Sequence, residues 1–324
     1  MPPDDIRTVA VIGAGTMGAG IAGVFARAGH TVQVQDLDDA ALERGRLLLD
    51  AGQQALVEAD LVTAQQARAA TDRIAFGTDL EAACQGADLL IEAAPEDLEL
   101  KRKLFARFDA LCPPHAVLAS NTSGLSITRI AAATGRPGQV AGVHFWNPPH
   151  LIPLVEVTRG ADTTDQTAEL LRDLVEQVGK RPILVRSDVP GFVGNRLQFA
   201  VFREALHILA EGIASAEDID TAMTAGPGLR YGFIGPLRTA DLGGLDVFCA
   251  ISSYLFAELE SGADVPALLR DLVDTGQLGA KSGRGFYPYA GGEQSQIIAA
   301  RDRTLLGFLK VLAGQGGGRE EDTP

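Results

Sequence analysis

A chain of 324 residues exceeds the size that one hydrophobic core usually serves, so two domains are expected. Hydrophobic residues at 46% against 22% charged describe a folded globular protein and exclude bulk disorder. Twenty-eight basic against 42 acidic side chains give a net charge of −14, which repels polyanions and so argues against nucleic acid and anionic membrane as partners.

The opening Met1-Pro2-Pro3-Asp4-Asp5 has no basic region followed by an apolar stretch, and no later segment reaches membrane-spanning length, so a cytoplasmic address is expected. Cys84, Cys112 and Cys249 are odd in number and far apart, without a CxxC pair. Neither a disulfide framework nor a zinc site is suggested, and all three read as buried thiols.

Apolar runs of strand length recur at Thr8 to Ile12, Thr31 to Gln35, Ile74 to Phe76, Asp88 to Ala93, Ala116 to Ala119 and Val140 to His144, with helical stretches between them. Alternation of this kind predicts parallel strands joined by helical crossovers, an α/β doubly wound, mainly parallel sheet. Pro153 to Val157 and Pro182 to Val185 extend it, and the turn cluster Asp188, Pro190 and Gly191 ends it. The first domain is therefore placed at 1–187.

Beyond that point the pattern is all-helical. One helix is predicted from Pro190 through Phe192, Leu197, Val201 and Leu209 to Gly212, apolar over so much of its circumference that a second subunit or its own domain must cover it. Ser215 to Asp218 reads as a capping box opening the next helix, which Gly226-Pro227-Gly228 closes. A further helix is expected from Pro236 past Gly243-Gly244 toward Leu259, and a shorter one from Val265 to Thr275. The second domain then spans 188–290. Residues 291–324 supply a C-terminal helix and, after Gly314, a disordered tail that includes Glu320, Glu321 and Asp322.

The strand Val9 to Ile12 leads into Gly13-Ala14-Gly15-Thr16-Met17-Gly18 and then a helix. In this context the first glycine permits a tight turn, the second lets a pyrophosphate approach the backbone, and the third lets helix and strand pack closely. The second strand ends in Asp36, whose carboxylate would bind the adenosine ribose hydroxyls and repel a 2′-phosphate. This is a Rossmann arrangement, with NAD favoured over NADP. Arg44 and Arg46 on the following helix read as solvated charges rather than a phosphate clamp.

A second dense region runs from Gly142 to His150 and on to Leu154-Val155-Glu156-Val157. His144 ends a predicted strand at the carboxyl edge, where doubly wound sheets bind ligands. Glu156 sits in an apolar strand, and such a carboxylate needs a partner. An imidazole would serve, and the pair could take a proton from a hydroxyl while hydride leaves its carbon. Singly, a strand-end His is equally a structural hydrogen-bonder and a strand Glu equally solvated, and spacing does not separate these readings.

Gly13 to Gly18, Asp36, Ile91 to Glu96, Ser120 to Ser123, His144 to Pro148, Leu154 to Val157, Pro190 to Arg196 and Gly285-Phe286-Tyr287 together resemble the L-3-hydroxyacyl-CoA dehydrogenase family, in order, over about residues 7 to 290. The resemblance implies His144 as general base and Glu156 as its orienting partner. It implies Ser123 and Asn195 holding the substrate's oxygens and Asn147 ordering the site. It implies Glu96, Lys101 and Asn121 contacting the cofactor alongside Gly13, Gly15, Thr16, Met17, Gly18 and Asp36. A small-molecule substrate and a homodimer formed through the helical domain also follow from it.

Two departures bear on the substrate. The acyl-CoA members carry a lysine-rich arm after the second strand, whereas Leu47 to Asp60 here holds no Lys or Arg and three acids. The stretch Gly228-Leu229-Arg230-Tyr231-Gly232-Phe233-Ile234-Gly235-Pro236 is similar instead to the branch that includes L-gulonate dehydrogenase and lambda-crystallin. An Arg can clamp a carboxylate through two hydrogen bonds, and Arg230 is the candidate. Free 3-hydroxy acid and 3-hydroxyacyl-CoA both stay open as substrates, and a non-catalytic, crystallin-like NAD-binding protein is the reading from another class.

Overall fold

Val9, Val11 and Val143 contribute to one buried layer, while their strand neighbours Ala10, Ile12 and Leu118 contribute to another. A period of two with both faces apolar is what a sheet covered by helices on each side requires. The computed structural model describes residues 2–315, and for 312–315 the backbone alone; the expected tail lies almost wholly outside the described residues.

The chain runs β1 (Thr8–Ile12), α1 (Thr16–Arg27), β2 (Thr31–Gln35), α2 (Asp39–Glu58), α3 (Ala64–Thr71), β3 (Ile74–Gly77), α4 (Leu80–Gln85) and β4 (Leu89–Glu92). It continues through α5 (Leu98–Leu111), β5 (Val117–Ser120), α6 (Ile127–Ala131), β6 (Val140–Phe145), β7 (Leu154–Arg159), α7 (Asp165–Gln177) and β8 (Arg181–Val185). These eight strands form one sheet in the order β3-β2-β1-β4-β5-β6-β7-β8. Neighbours are parallel except β6 and β7. The reason is local: β6 and β7 are joined by a short loop without a crossover helix, and parallel strands need a crossover of a dozen residues or more.

The strand order reverses between β1 and β4, which opens a crevice above their carboxyl ends. One helical layer puts Ile21, Phe25, Leu171 and Leu174 on the sheet, and the other puts Phe105, Phe108, Ile127 and Ile130. Asp38, Thr63, Asp79, Asp97, Ser126 and Thr164 cap the helices that follow them by accepting a backbone N–H, so polar residues between the apolar runs mark the helix starts.

The remaining helices are α8 (Gly194–Ala210), α9 (Ala216–Ala225), α10 (Pro227–Tyr231), α11 (Pro236–Gly243), α12 (Leu245–Leu255), α13 (Ala267–Asp274) and α14 (Glu293–Gln315). The chain divides into two compact units, one of residues up to Arg196 together with those from Ala300, the other Leu197–Ala299. Within the second unit, Phe202 packs edge-on against Phe199 and Phe286, and the Tyr287 hydroxyl donates to Asp220 at 2.7 Å.

Several helical expectations need correction. The helix expected from Pro190 starts at Gly194, because Gly191 and Phe192 adopt left-handed backbone (φ 77° and 48°) and Phe192 turns inward to 1% exposure. The helix expected across Gly243-Gly244 is two helices, broken where Gly244 takes φ 92°. Ser215 caps α9 through the Asp218 N–H, but the Asp218 carboxylate accepts from the Ser215 hydroxyl at 2.8 Å; the reciprocal bond to the Ser215 backbone N–H is not made. Cys84 and Cys112 are buried as expected, whereas Cys249 is exposed. Among the described residues no helix is long and apolar enough to cross a membrane.

Candidate active site

The carboxyl ends of β1, β4, β5 and β6 converge on the crevice. Gly13 (φ 106°) turns the chain out of β1, and a Cβ there would meet the Ala93 carbonyl oxygen at 2.7 Å. A Cβ on Gly18 would lie 1.7 Å from the Gly13 oxygen, so α1 reaches the strand only because that residue is glycine. At Gly15 an added Cβ would meet nothing within 4 Å. The first and third glycines are thus demanded by packing, while the second leaves open space in front of the α1 N-terminus. Gly15 caps that helix without a side-chain acceptor, so its first N–H groups face the space. A dinucleotide pyrophosphate fits this arrangement.

Asp36 follows β2, accepting from Ala14 N at 2.7 Å and from Leu37 N at 2.6 Å. Its carboxylate is tied to the glycine turn itself. Arg46, one of the two basic residues of that helix, lies 4.7 Å over the Phe76 ring and pairs with Glu43.

His144 and Glu156 are cross-strand partners in the antiparallel β6–β7 ladder. Their neighbours Val143, Phe145, Val155 and Val157 belong to one core layer, so alternation turns the His and the Glu together to the other face. The imidazole Nδ1 donates to Glu156 Oε2 at 2.8 Å, as does the Trp146 indole N–H at 3.1 Å. Glu156 Oε1 accepts from Val193 N at 3.0 Å and Gly194 N at 2.9 Å. Gly194 permits this approach, since a Cβ would run into the Trp146 ring at 2.3 Å.

A fully buried carboxylate is costly, and burial alone would raise its pKa. Four donors outweigh burial here and hold Glu156 below the ordinary carboxylate range. An ionised carboxylate only accepts, so the neutral imidazole carries its proton on Nδ1 and its lone pair on Nε2. His144 lines a cavity of about 370 Å³ with Thr16, Met17, Asn121, Ser123, Phe145, Trp146, Asn147 and Asn195. The basic nitrogen and the open end of α1 therefore share one space.

The first half of the chain matches the family model described as 3-hydroxyacyl-CoA dehydrogenase, NAD binding domain, over residues 8–189. The matching C-terminal domain covers 191–289. The chain belongs to the 3-hydroxyacyl-CoA dehydrogenase family.

It is similar to the 5-formyl-3-hydroxy-2-methylpyridine 4-carboxylate 5-dehydrogenase of Mesorhizobium japonicum, 36% identical over 310 residues, or 96% of this chain and 99% of that one. A crystal structure of an enzyme of that activity, described as an NAD+-dependent dismutase, superposes with a TM-score of 0.89 over 97% of this chain and all of that one. The 3-hydroxybutyryl-CoA dehydrogenase of Bradyrhizobium diazoefficiens is 40% identical over 88% of this chain and 96% of its own. The L-carnitine dehydrogenase of Streptomyces coelicolor is 37% identical over 99% of both. This family member is an NAD-dependent dehydrogenase acting on a CH–OH group.

Within the family framework, the remaining residues fall into distinct places. Asn121 Oδ1 accepts from Phe145 N at 2.8 Å, and Asn195 Nδ2 donates to the Ser123 carbonyl at 2.9 Å, so both asparagines also brace the cavity wall they line. Glu96 accepts from the Thr122 hydroxyl at 2.5 Å and Ser123 N at 2.9 Å. Lys101 is not brought to the cavity. It is 1% exposed, with its ammonium on Glu92 at 2.6 Å, on the Ala94 carbonyl at 3.1 Å and on Glu96 at 3.5 Å.

Glu92 is the residue that sequence reasoning passed over. Besides Lys101 it accepts from Ala94 N at 2.7 Å and the Ser120 hydroxyl at 2.6 Å, tying β4, β5 and α5 together below the crevice. The available signal was the one that singled out Glu156, a carboxylate closing an apolar strand. Trp146 was likewise missed as a donor to Glu156. Arg230 lies on α10 in the second unit, exposed and without an ion pair among the described residues.

Proposed function

We propose that this chain oxidises, reversibly, the secondary alcohol of a small free 3-hydroxy acid or similar carboxylated alcohol. The observation that carries the reading is the Nδ1 bond to Glu156, which leaves Nε2 unprotonated on the cavity. Nε2 takes the hydroxyl proton, and Glu156 fixes the tautomer and stabilises the imidazolium that forms. Ser123 and Asn195 hold the substrate's oxygens, and Asn147 orders the wall beside them. NAD supplies the hydride acceptor when bound. Gly13, Gly15, Thr16, Met17 and Gly18 receive its pyrophosphate and Asp36 its ribose diol; Glu96 and Asn121 set the nicotinamide side, and Lys101 acts there through Glu96.

A free acid is favoured over a CoA thioester because Leu47 to Asp60 holds no basic residue for CoA phosphates. The cavity lining in the first unit has no Lys or Arg either, so a carboxylate would need its cation from outside that lining, and Arg230 is the candidate that the sequence offers. A relative named for a pyridine carboxylate, 36% identical over 96% of the chain, supports the free-acid reading. The 40% identity to a 3-hydroxybutyryl-CoA enzyme supports the thioester as second reading.

We assign 1–187 to NAD binding and 188–290 to substrate binding and homodimerisation. Supporting the dimer, α12 buries none of its residues, and Phe199, Leu237, Tyr254 and Phe256 are at least 60% exposed. A cytoplasmic enzyme is the corresponding cellular reading.

The deciding experiment follows NADH absorbance with acetoacetyl-CoA and with short free 3-keto and 3-hydroxy acids. Turnover of the free acids at a kcat/KM at least tenfold above the thioester is expected; the reverse ranking overturns the substrate assignment. Arg230→Met should then raise KM for the acid at least tenfold with kcat little changed, and an unchanged KM removes Arg230 from the site.

A further inference from the structure

Eight residues, Trp146 to Pro153, turn β6 into β7, and the first two of them, Trp146 and Asn147, line the cavity beside His144. Both lie past the last rung of the ladder, where Phe145 faces Val155, so their position depends on the residues that follow. Those residues are held from outside the cavity. Lys180, which is buried and makes no ion pair among the described residues, donates to the Pro149 carbonyl at 2.5 Å and to the Ile152 carbonyl at 3.0 Å. A buried amine is costly unless hydrogen-bonded, and the loop carbonyls are the partners it has. Leu151, also buried, forms a small apolar cluster with Leu56 of α2 and Leu306 of α14, apart from the two layers that cover the sheet. Leu305 and Leu309 pack against the same cluster, and Lys310 Nζ bonds to Asp60 Oδ2 at 3.2 Å just beyond α2. These residues of α14 belong to the first unit. Pro149 packs on α1 at Gly20, where an added Cβ would lie 2.9 Å from its Cγ. The second matched family domain ends at residue 289, so the family domains do not account for α14.

Resting on the site assignment above, we propose that Lys180 and Leu306 are positioning residues that clamp the β6–β7 loop and thereby hold Trp146 and Asn147 at the active site. Each fixes a different part of the turn. The two Lys180 hydrogen bonds tie Pro149 to Ile152 and set the backbone between them, while Leu306 keeps Leu151, and with it the turn, down on α2. With Phe145 in the ladder and Pro149 held, only Trp146, Asn147 and Pro148 lie between fixed points, and the proline ring stiffens that span. Trp146 therefore keeps its indole N–H on Glu156, and the carboxylate keeps all four of its donors. Release of the turn withdraws the indole and frees Asn147 from the cavity wall. Neither Lys180 nor Leu306 lines the cavity, so both act through these two residues.

Trp146 is the sole tryptophan of the chain, so tryptophan fluorescence reads this loop directly. The test compares the full-length parent with Leu306→Ala, Leu306→Met and Lys180→Met, each shown to be folded by a cooperative melt. Leu170→Ala serves as control, because it truncates a leucine of the same 7% exposure in the core layer of the sheet, outside this cluster. Acrylamide quenching of Trp146 should rise about twofold in Leu306→Ala and in Lys180→Met, while Leu306→Met, which keeps the side-chain volume, and Leu170→Ala stay at the parental value. NADH oxidation is followed with acetoacetate and with acetoacetyl-CoA. On whichever the parent reduces faster, kcat should fall about 10- to 100-fold in the same two variants and stay parental in Leu306→Met and Leu170→Ala. If Leu306→Ala does not fold, Leu306→Val is held to the same direction of change alongside Lys180→Met. Parental quenching in the folded variants would overturn the clamp, and raised quenching with parental kcat would overturn its positioning role. His144→Ala, run in parallel, separates the two failures. Turnover lost there but parental in the clamp variants leaves the site assignment standing and removes the clamp; near-parental turnover in His144→Ala removes both.

Discussion

Replacing Glu156 with Gln probes the charge of the pair while keeping its shape. The amide has one acceptor atom and one donor group, whereas the carboxylate serves four donors: His144 Nδ1, Trp146 Nε1, Val193 N and Gly194 N. If the new NH2 faces the two backbone amides, both lose their acceptor at about 1–3 kcal/mol each, or roughly 2–6 kcal/mol in all. If it faces His144, the ring can switch tautomer and accept on Nδ1, and Trp146 alone is orphaned at about 1–3 kcal/mol. The second arrangement wins. It moves the ring proton to Nε2, where the lone pair was needed, and the base is lost although the side chain has not moved. We therefore expect kcat to fall about 100- to 10,000-fold, the usual weight of acid–base catalysis. Stability should drop by only about 1–3 kcal/mol, and NADH affinity should stay within about threefold. Steady-state NADH absorbance, denaturant unfolding and NADH titration give the three readouts. A kcat within tenfold of the parent, in protein shown to be folded, would refute the tautomer argument.

Gly18→Ala places a methyl 1.7 Å from a backbone oxygen and should yield no folded soluble protein, while Gly15→Ala, with open space around it, should keep the parent Tm and bind NADH at least tenfold more weakly. The opposite pattern in melting and titration would overturn the assignment of the two glycines. Lys180 is 9% exposed, bonded to the Pro149 and Ile152 carbonyls, and pushed down to about 7 by burial and by Arg27. Its unfolded pKa is near 10.4, so between these values the unfolded chain holds a proton that the folded chain has released, and stability rises with pH. Relative to Lys180→Met, the parent should gain on the order of 2 kcal/mol from pH 7 to pH 9 in denaturant unfolding, and parallel profiles would show that the amine is not desolvated. His144→Ala should abolish turnover while NADH titration stays unchanged; near-parental activity would remove His144 as the base.

Much of this molecule is written in its local order. Apolar runs bounded by capping residues mark all eight strands, because strand and helix periods are properties of short segments. Gly13-Ala14-Gly15-Thr16-Met17-Gly18 and Asp36 announce a dinucleotide crevice, because turn, approach and packing each need a residue without a side chain at a fixed offset. Glu156 announces a partner, because a carboxylate cannot sit alone among Leu154, Val155 and Val157. Which partner, and in which protonation state, is decided only in three dimensions. The antiparallel β6–β7 register sets Glu156 opposite His144, and the left-handed turn at Gly191 and Phe192 delivers two further amides that hold its charge. Tertiary placement likewise buries Lys101 on Glu92 and exposes Cys249. Sequence periodicity specifies which face of an element is apolar, but the neighbour that a polar group meets on that face is chosen by packing between elements far apart in the chain.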